Sequence, residues 1–566
     1  MKNSLIGTLI TLLILTGIEL TFRSIGLGKP EPYFITYKAD TSYWVFNPAI
    51  SQRIFYRGDE FLLPQVDPFL KVKPRNTIRI FVLGASTAYG FPYTHNTSFP
   101  RILKRSLGHV TDANSIEIIN LSLTAINTYT LRELSKELVK FDADATVIYA
   151  GHNEFHGVHG VASSYSIASQ KIYKEVYFVA KRLQFFNWLE SKFKFSDSKE
   201  GDANLMQKLA NGQFIELNSN TFKQGVEQFE SNLIDIISIH EENNIPVFIG
   251  KLTSNIVDIQ PLDFTSSKDK KLKSLNHYVT AQDQLNKKDA LGAIENFSAA
   301  RDLDQLRFRA PSHFNEIIDK LKTKKSITVV NVDSVFQSMR LTSNETLFLE
   351  HVHPNVKGYY LMAYSFHLKI TESQIFKELT IQPETISFEN YYSLFAPVTT
   401  KLDSAVGDVL TQRLLTQWPF YGSQKQFPNT LESNIAQNAL EQGIPWTQMM
   451  DIYYKECMAQ KKYGDAKRTA LSLMLEIPFS DVPIKYYLDC LLNSGEYSEL
   501  LGYASTYIYE LNPNRRMIAN YISETFKSHP DLAQLKDFLD LHIDNLGEFG
   551  FHLEGILDNR IYREEK

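Results

Sequence analysis

Cysteine is nearly absent: the 566 residues contain two, Cys457 and Cys490. Two thiols cannot build a disulfide framework, and their spacing matches no metal-ligand pattern, so both read as packing residues of a helical region. An excess of basic charge is missing as well. With 59 Lys and Arg against 64 Asp and Glu, the formal net charge is −5. Nothing in that balance attracts nucleic acid or an anionic membrane surface, and a nucleic-acid function is disfavoured. An A-x-A-like cleavage site is lacking after the apolar stretch that begins at Leu5 and runs to Ile18. A cleaved signal peptide therefore fits less well than an uncleaved signal anchor. Counted on to Phe22, the stretch would cover most of a ~30 Å hydrocarbon core at ~1.5 Å rise per residue. It is apolar on all sides, unlike a core helix. The expectation is a signal anchor or transmembrane helix over 1–28, with the bulk of the chain outside the cytoplasm.

What the chain does have is length, with 43% hydrophobic and 12% aromatic residues, enough for two or three domains with sizeable cores. After a linker or amino-terminal extension over 29–76, apolar runs at Ile78–Leu83, Ile116–Leu121, Ala145–Ala150, Pro246–Ile249 and Ile327–Val332 alternate with amphipathic segments at Ser98–Leu107, Thr130–Phe141 and Thr221–Glu241. That alternation predicts βαβ units and a doubly wound parallel sheet over 77–380. The first run ends in Gly84-Ala85-Ser86, and parallel strands bring their carboxyl ends to one rim, where open α/β sheets keep their chemistry. The second run leads to Ala125 and the third to Gly151-His152-Asn153. Further on, Glu350-His351-Val352-His353-Pro354 precedes an apolar helical stretch. Pro354 suits the first helical position, so His353 should sit at a helix mouth with Glu350 in reach of its ring. Taken singly, Ser86 reads better as a turn residue, Asn153 as a helix cap, and His353 and Glu350 as surface groups. Four blocks in order, each after a strand or before a helix, favour chemistry.

Together these blocks resemble the GDSL or SGNH hydrolase superfamily, over about 77–160 and 325–370. The resemblance implies a flavodoxin-like fold and a serine esterase without cofactor or metal. It implies Ser86 as nucleophile, His353 as general base and acid, and Glu350 as the orienting carboxylate. Oxyanion donors would be the Asn153 side-chain amide and the main-chain N–H groups of Ala125 and Ser86. The chain departs from the pattern at three positions: Ala85 replaces an aspartate, Ala125 a glycine and Glu350 an aspartate. A main-chain donor tolerates a methyl group at negative φ; a positive φ at Ala125 would strain the hole and favour a binding or scaffold protein that keeps the fold without the activity.

A metal site built from His152, His156, His159, His351 and His353 is disfavoured, because no helical His/carboxylate motif accompanies them. Insertions are expected at 161–220, as a lid or surface excursion, and at 256–322. In the second, Ala293, Phe297 and Ala300 carry the spacing of a packed helix, and Arg307 and Arg309 read as a salt-bridged surface more readily than as a substrate site. From 400 to 566 the chain reads as helical. Tyr463 and Tyr497 lie one tetratricopeptide period apart, which suggests a repeat stack able to bind a partner protein or glycan. The resulting expectation is a membrane-anchored, extracytoplasmic esterase or acyltransferase acting on an envelope glycan or lipid ester.

Overall fold

The computed structural model describes residues 2–54, 63–93, 95–111, 115–164, 166, 170–193, 204–267, 271–343, 345–377, 386–423, 425–477, 480–496, 499–500, 503 and 521. Within them the stretch expected as a linker holds three short antiparallel strands, β1 (Phe34–Thr36), β2 (Tyr43–Phe46) and β3 (Phe69–Leu70). Phe34 pairs with Phe46 and Trp44 with Phe69. Their aromatic faces meet Phe81 and Phe141, with ring centroids 4.5 to 6.4 Å apart. Arg79, only 1% exposed, locks this small sheet to the large one. Its guanidinium donates to Glu117 at 2.6 Å, to the Phe141 carbonyl at 2.9 Å and to the Leu70 carbonyl at 2.7 Å. A buried cation so fully partnered holds three separate segments in register.

The large sheet is parallel and follows the expected runs: β4 (Thr77–Gly84), β5 (Ser115–Asn120), β6 (Ala145–Tyr149), β7 (Val247–Gly250) and β8 (Ile327–Val330). Its order is β5-β4-β6-β7-β8. Every residue of β4 and β6 is buried, which only a sheet covered on both faces allows. The covering helices pack in pairs, Phe99–His109 with Val356–Thr371 and Thr128–Leu138 with Asn220–Glu242. Asn127 and Ser219 cap two of them, accepting from the N–H groups of Tyr129 and Phe222. The strand order reverses between β4 and β6, and a doubly wound sheet opens its binding crevice at that switch point.

The first insertion forms helices Lys171–Ala180, Gln184–Phe193 and Leu205–Ala210. The second forms a hairpin of helices Lys273–Asn286 and Ala290–Leu303, in which Ala293, Phe297 and Ala300 pack with Ile256, Tyr278 and Ala281 as their spacing requires. Arg307 and Arg309 are buried inside this region rather than on its surface. Arg309 pairs with Asp304 at 2.9 Å, and Arg307 donates to the Ile215 carbonyl at 2.9 Å.

A second compact unit comprises 396–409 and 427–566, the first comprising 1–395 and 410–426. Its described residues are helical, with successive helices Leu431–Glu441, Trp446–Ala459, Tyr463–Glu476 and Val482–Ser494 each packed on the next. Cys457 and Cys490 are buried in it as free thiols. The repeat expected after Tyr463 is not confirmed, since Tyr497 and most of 501–566 lie outside the described residues. At the other end a helix spans Lys2–Ile25. Among the described residues no helix is long and apolar enough to cross a membrane, so the transmembrane expectation finds no support.

Candidate active site

Gly84 closes β4, and the chain turns at Ala85 into a four-residue helix, Ser86–Tyr89, ended by Gly90 in the left-handed region. Gly84 has no room for a side chain: a Cβ there would lie 2.3 Å from the Ala88 Cβ and 2.6 Å from the Tyr149 carbonyl oxygen. That closeness lets the helix fold back on the strand end and present the Ser86 hydroxyl above the rim.

Polar side chains of the amino-terminal segment and β5 brace the turn. Asn120 donates to the Ala88 carbonyl at 3.0 Å, while its own N–H donates to Asp67 at 2.9 Å. Gln65 donates to the Tyr89 carbonyl at 2.6 Å, and Asp67 pairs with Arg101 at 2.7 Å. Nothing in the sequence pattern marked Gln65 or Asp67, because they reach the site only through the small sheet.

His353 comes to Ser86 from the far end of the domain. Its Nε2 lies 2.7 Å from the Ser86 Oγ, and its Nδ1 is hydrogen-bonded to Glu350 Oε1. The same oxygen accepts the backbone N–H of His353 at 2.8 Å, and Oε2 accepts that of His351 at 2.7 Å. The longer side chain of glutamate is thus folded into its own tight turn and meets the imidazole directly. His351 Nδ1 also lies against Oε2, so one carboxylate faces two rings. The Phe91 ring packs on His353 at 4.8 Å.

Helix geometry differs here from expectation. The helix starts at Val356 with Asn355 as its cap, accepting from Gly358 N–H at 2.9 Å. Pro354 precedes it, bridged to Phe348. An asparagine cap competes better for the free N–H groups than proline at the first position, and the Phe348–Pro354 bridge closes the loop that carries Glu350 and His353.

Burial pushes the His353 ring down, to about 3. A desolvated imidazole is neutral at ordinary pH, the form that accepts a proton. Glu350, held to Nδ1, fixes which nitrogen faces the serine. His152 and His351 are driven down by the same cause and are neutral too.

Ser86, Ala125, Asn153 and His353 line one cavity of about 430 Å³. Ala125 is held at φ +60, the left-handed region, a conformation that costs alanine about 1–2 kcal/mol. The strain that would count for the scaffold reading is therefore present. The surrounding loop sustains it: the Val158 N–H donates to the Ala125 carbonyl at 2.9 Å. Gly157 lies so close that a Cβ would come within 2.7 Å of that carbonyl. Next to Asn153, the buried Glu154 accepts from the Thr128 hydroxyl at 2.7 Å and its N–H at 3.2 Å. The loops after β5 and β6 are joined at two points.

The remaining histidines serve packing. His152 accepts from the Ala310 N–H at 3.1 Å, His156 lies against the Phe308 ring and His159 against that of Phe178. Among the described residues no group of three or more metal-ligating side chains gathers.

No family model matches the chain, and no curated protein matches it. Solved structures similar to it include three at 13% identity each. An acetyl xylan esterase gives a TM-score of 0.29, the alignment covering 52% of this chain and all of that one. A GDSL-like lipase from Bacteroides thetaiotaomicron gives 0.27, covering 54% and 92%. The lipase/acylhydrolase from Enterococcus faecalis also gives 0.27, covering 54% and 100%. By name these three are an esterase, a GDSL-like lipase and a lipase/acylhydrolase, and the likeness covers about half of this chain.

Proposed function

We propose that the chain is a serine hydrolase of carboxylic esters. The observation that carries this reading is the relay from Glu350 through His353 to Ser86, with a 2.7 Å contact at the hydroxyl. His353 takes the Ser86 proton as Oγ attacks the ester carbonyl. The tetrahedral oxyanion is met by the Asn153 amide and the N–H groups of Ala125 and Ser86. Collapse expels the alcohol, protonated by the imidazolium that Glu350 stabilises, and leaves an acyl-serine. Water, activated by His353, then releases the acid; a second alcohol in its place makes the reaction a transfer. An acyl group on an envelope glycan or lipid is the substrate class in view. An extracytoplasmic position, membrane contact through Lys2–Ile25 and a protein partner on the carboxy-terminal helices belong to the same proposal. Fractionation and co-purification of the full chain test these last three.

The second reading, a scaffold protein without turnover, is favoured by one observation, the positive φ of Ala125. Labelling with a fluorophosphonate separates the two. The hydrolase predicts labelling that Ser86→Ala abolishes, and the scaffold predicts none.

A further inference from the structure

Apolar side chains make up most of the lining of the cavity beside Ser86. Away from the reacting groups its walls are Phe91, Leu205, Met206, Leu209, Phe308 and Leu414. Polar lining groups are Ser86, Thr124, Asn153, His351 and His353, with Asn204 and the exposed Lys208 on the helix that also supplies Leu205, Met206 and Leu209. A sugar ring needs several hydrogen-bonding partners around its hydroxyls, and a pocket lined mainly by apolar side chains leaves them unpaired.

Three of the six wall residues come from the helix Leu205–Ala210 in the first insertion. That helix is fastened in place. Asn204 caps it, accepting from the Gln207 N–H at 2.9 Å, and the Leu209 carbonyl accepts from the Ser164 N–H at 3.0 Å. Ala210 is fully buried in a cluster with Leu262, Leu306, Phe308 and Phe420, against which Met206 and Leu414 pack. The wall therefore belongs to the body of the domain.

Size then sets the ligand. At roughly 30 Å³ for a unit the size of a water or methylene, about 430 Å³ holds on the order of ten to fourteen heavy atoms; the carbonyl oxygen, the ester oxygen and the first two atoms of the alcohol take about four of them, which leaves about six to ten acyl carbons. An acetyl group would leave most of that space empty, and a palmitoyl chain would overrun it.

We infer, resting on the hydrolase reading above, that this cavity seats a medium-length acyl chain of about six to ten carbons, and that the helix Leu205–Ala210 sets its length limit. Desolvating each further methylene contributes about 0.8 kcal/mol, close to fourfold in kcat/KM per carbon, until the wall is reached.

The test uses the full chain and p-nitrophenyl esters from acetate to palmitate. The inference expects kcat/KM to rise at least tenfold from acetate to a maximum between hexanoate and decanoate. Leu205→Trp, which fills the cavity from a half-buried position, should lower the octanoate-to-acetate ratio at least tenfold. Because that ratio is taken within one protein, partial unfolding does not change it. A preference for acetate, or an unchanged ratio in Leu205→Trp, overturns the chain-length assignment while leaving the esterase intact. Absence of turnover on every ester, with no fluorophosphonate labelling, instead overturns the hydrolase reading beneath it.

Discussion

At the scale of single residues, the two donors beyond Ser86 carry separate expectations. Asn153 lines the cavity, and on the hydrolase reading Asn153→Ala removes a donor to the oxyanion while leaving the acyl walls intact. On the hydrolase reading, kcat on a p-nitrophenyl ester falls about 10²- to 10³-fold with KM changed less. A loss expressed mainly in KM would place Asn153 in binding. Ala125 is the opposite case, since its backbone and not its methyl group is used. Replacing it with glycine relieves about 1–2 kcal/mol of left-handed strain and returns about 0.5–1 kcal/mol in unfolded-chain entropy. Thermal melting of Ala125→Gly should show a net gain between zero and about 1.5 kcal/mol, with turnover no lower than the parent's. A destabilised variant would mean that the methyl group contributes packing worth more than the strain.

At the scale of elements, the strand-to-helix turn at Gly84 has the least room for change. A methyl group there meets the Ala88 Cβ and the Tyr149 carbonyl, both on rigid backbone, and overpacking of this kind costs about 1–3 kcal/mol. Gly84→Ala should lower the melting temperature and nearly abolish labelling of Ser86; an unchanged melt and labelling rate would show that the turn can open.

The same element shows what was legible in the chain. Five apolar runs became the five strands of the parallel sheet because period and burial follow directly from side-chain type. The blocks after β4, β5 and β6 reached one rim because parallel strands leave no other choice. The helix starts at Val356, two residues after the position that Pro354 suits, since capping by Asn355 and the Phe348–Pro354 bridge depend on a contact outside local pattern. The support from Gln65 and Asp67 and the cavity wall at Leu205–Ala210 were illegible for a related reason. They sit in stretches without periodicity, brought to the site by tertiary packing alone. The positive φ of Ala125 is set by the loop packed around it, which composition does not reveal.

For the whole molecule, the buried histidines govern its response to acid. His152, His159 and His353 are pushed down to about 3, and His156 and His367 to about 4, all by burial. In the unfolded chain the same rings bind protons below about 6.5. Between those values the unfolded state holds more protons, so stability is lost as pH falls from 6.5 toward 4. Each ring contributes about 1.4 kcal/mol per pH unit over that window. Melting temperature should begin to drop near pH 6, above the range where ordinary carboxylates titrate. A melt that is flat from pH 7 to pH 5 would contradict the burial of these rings.

On the hydrolase reading, Ser86, His353 and Glu350 form one working relay at the sheet rim, and mass-spectrometric mapping of the adduct after treatment with a fluorophosphonate tests it. A working relay yields a single phosphonylated peptide carrying Ser86, lost in Ser86→Ala and formed at least a hundredfold more slowly in His353→Ala. Modification of another residue, or equal modification of the His353→Ala variant, would contradict it.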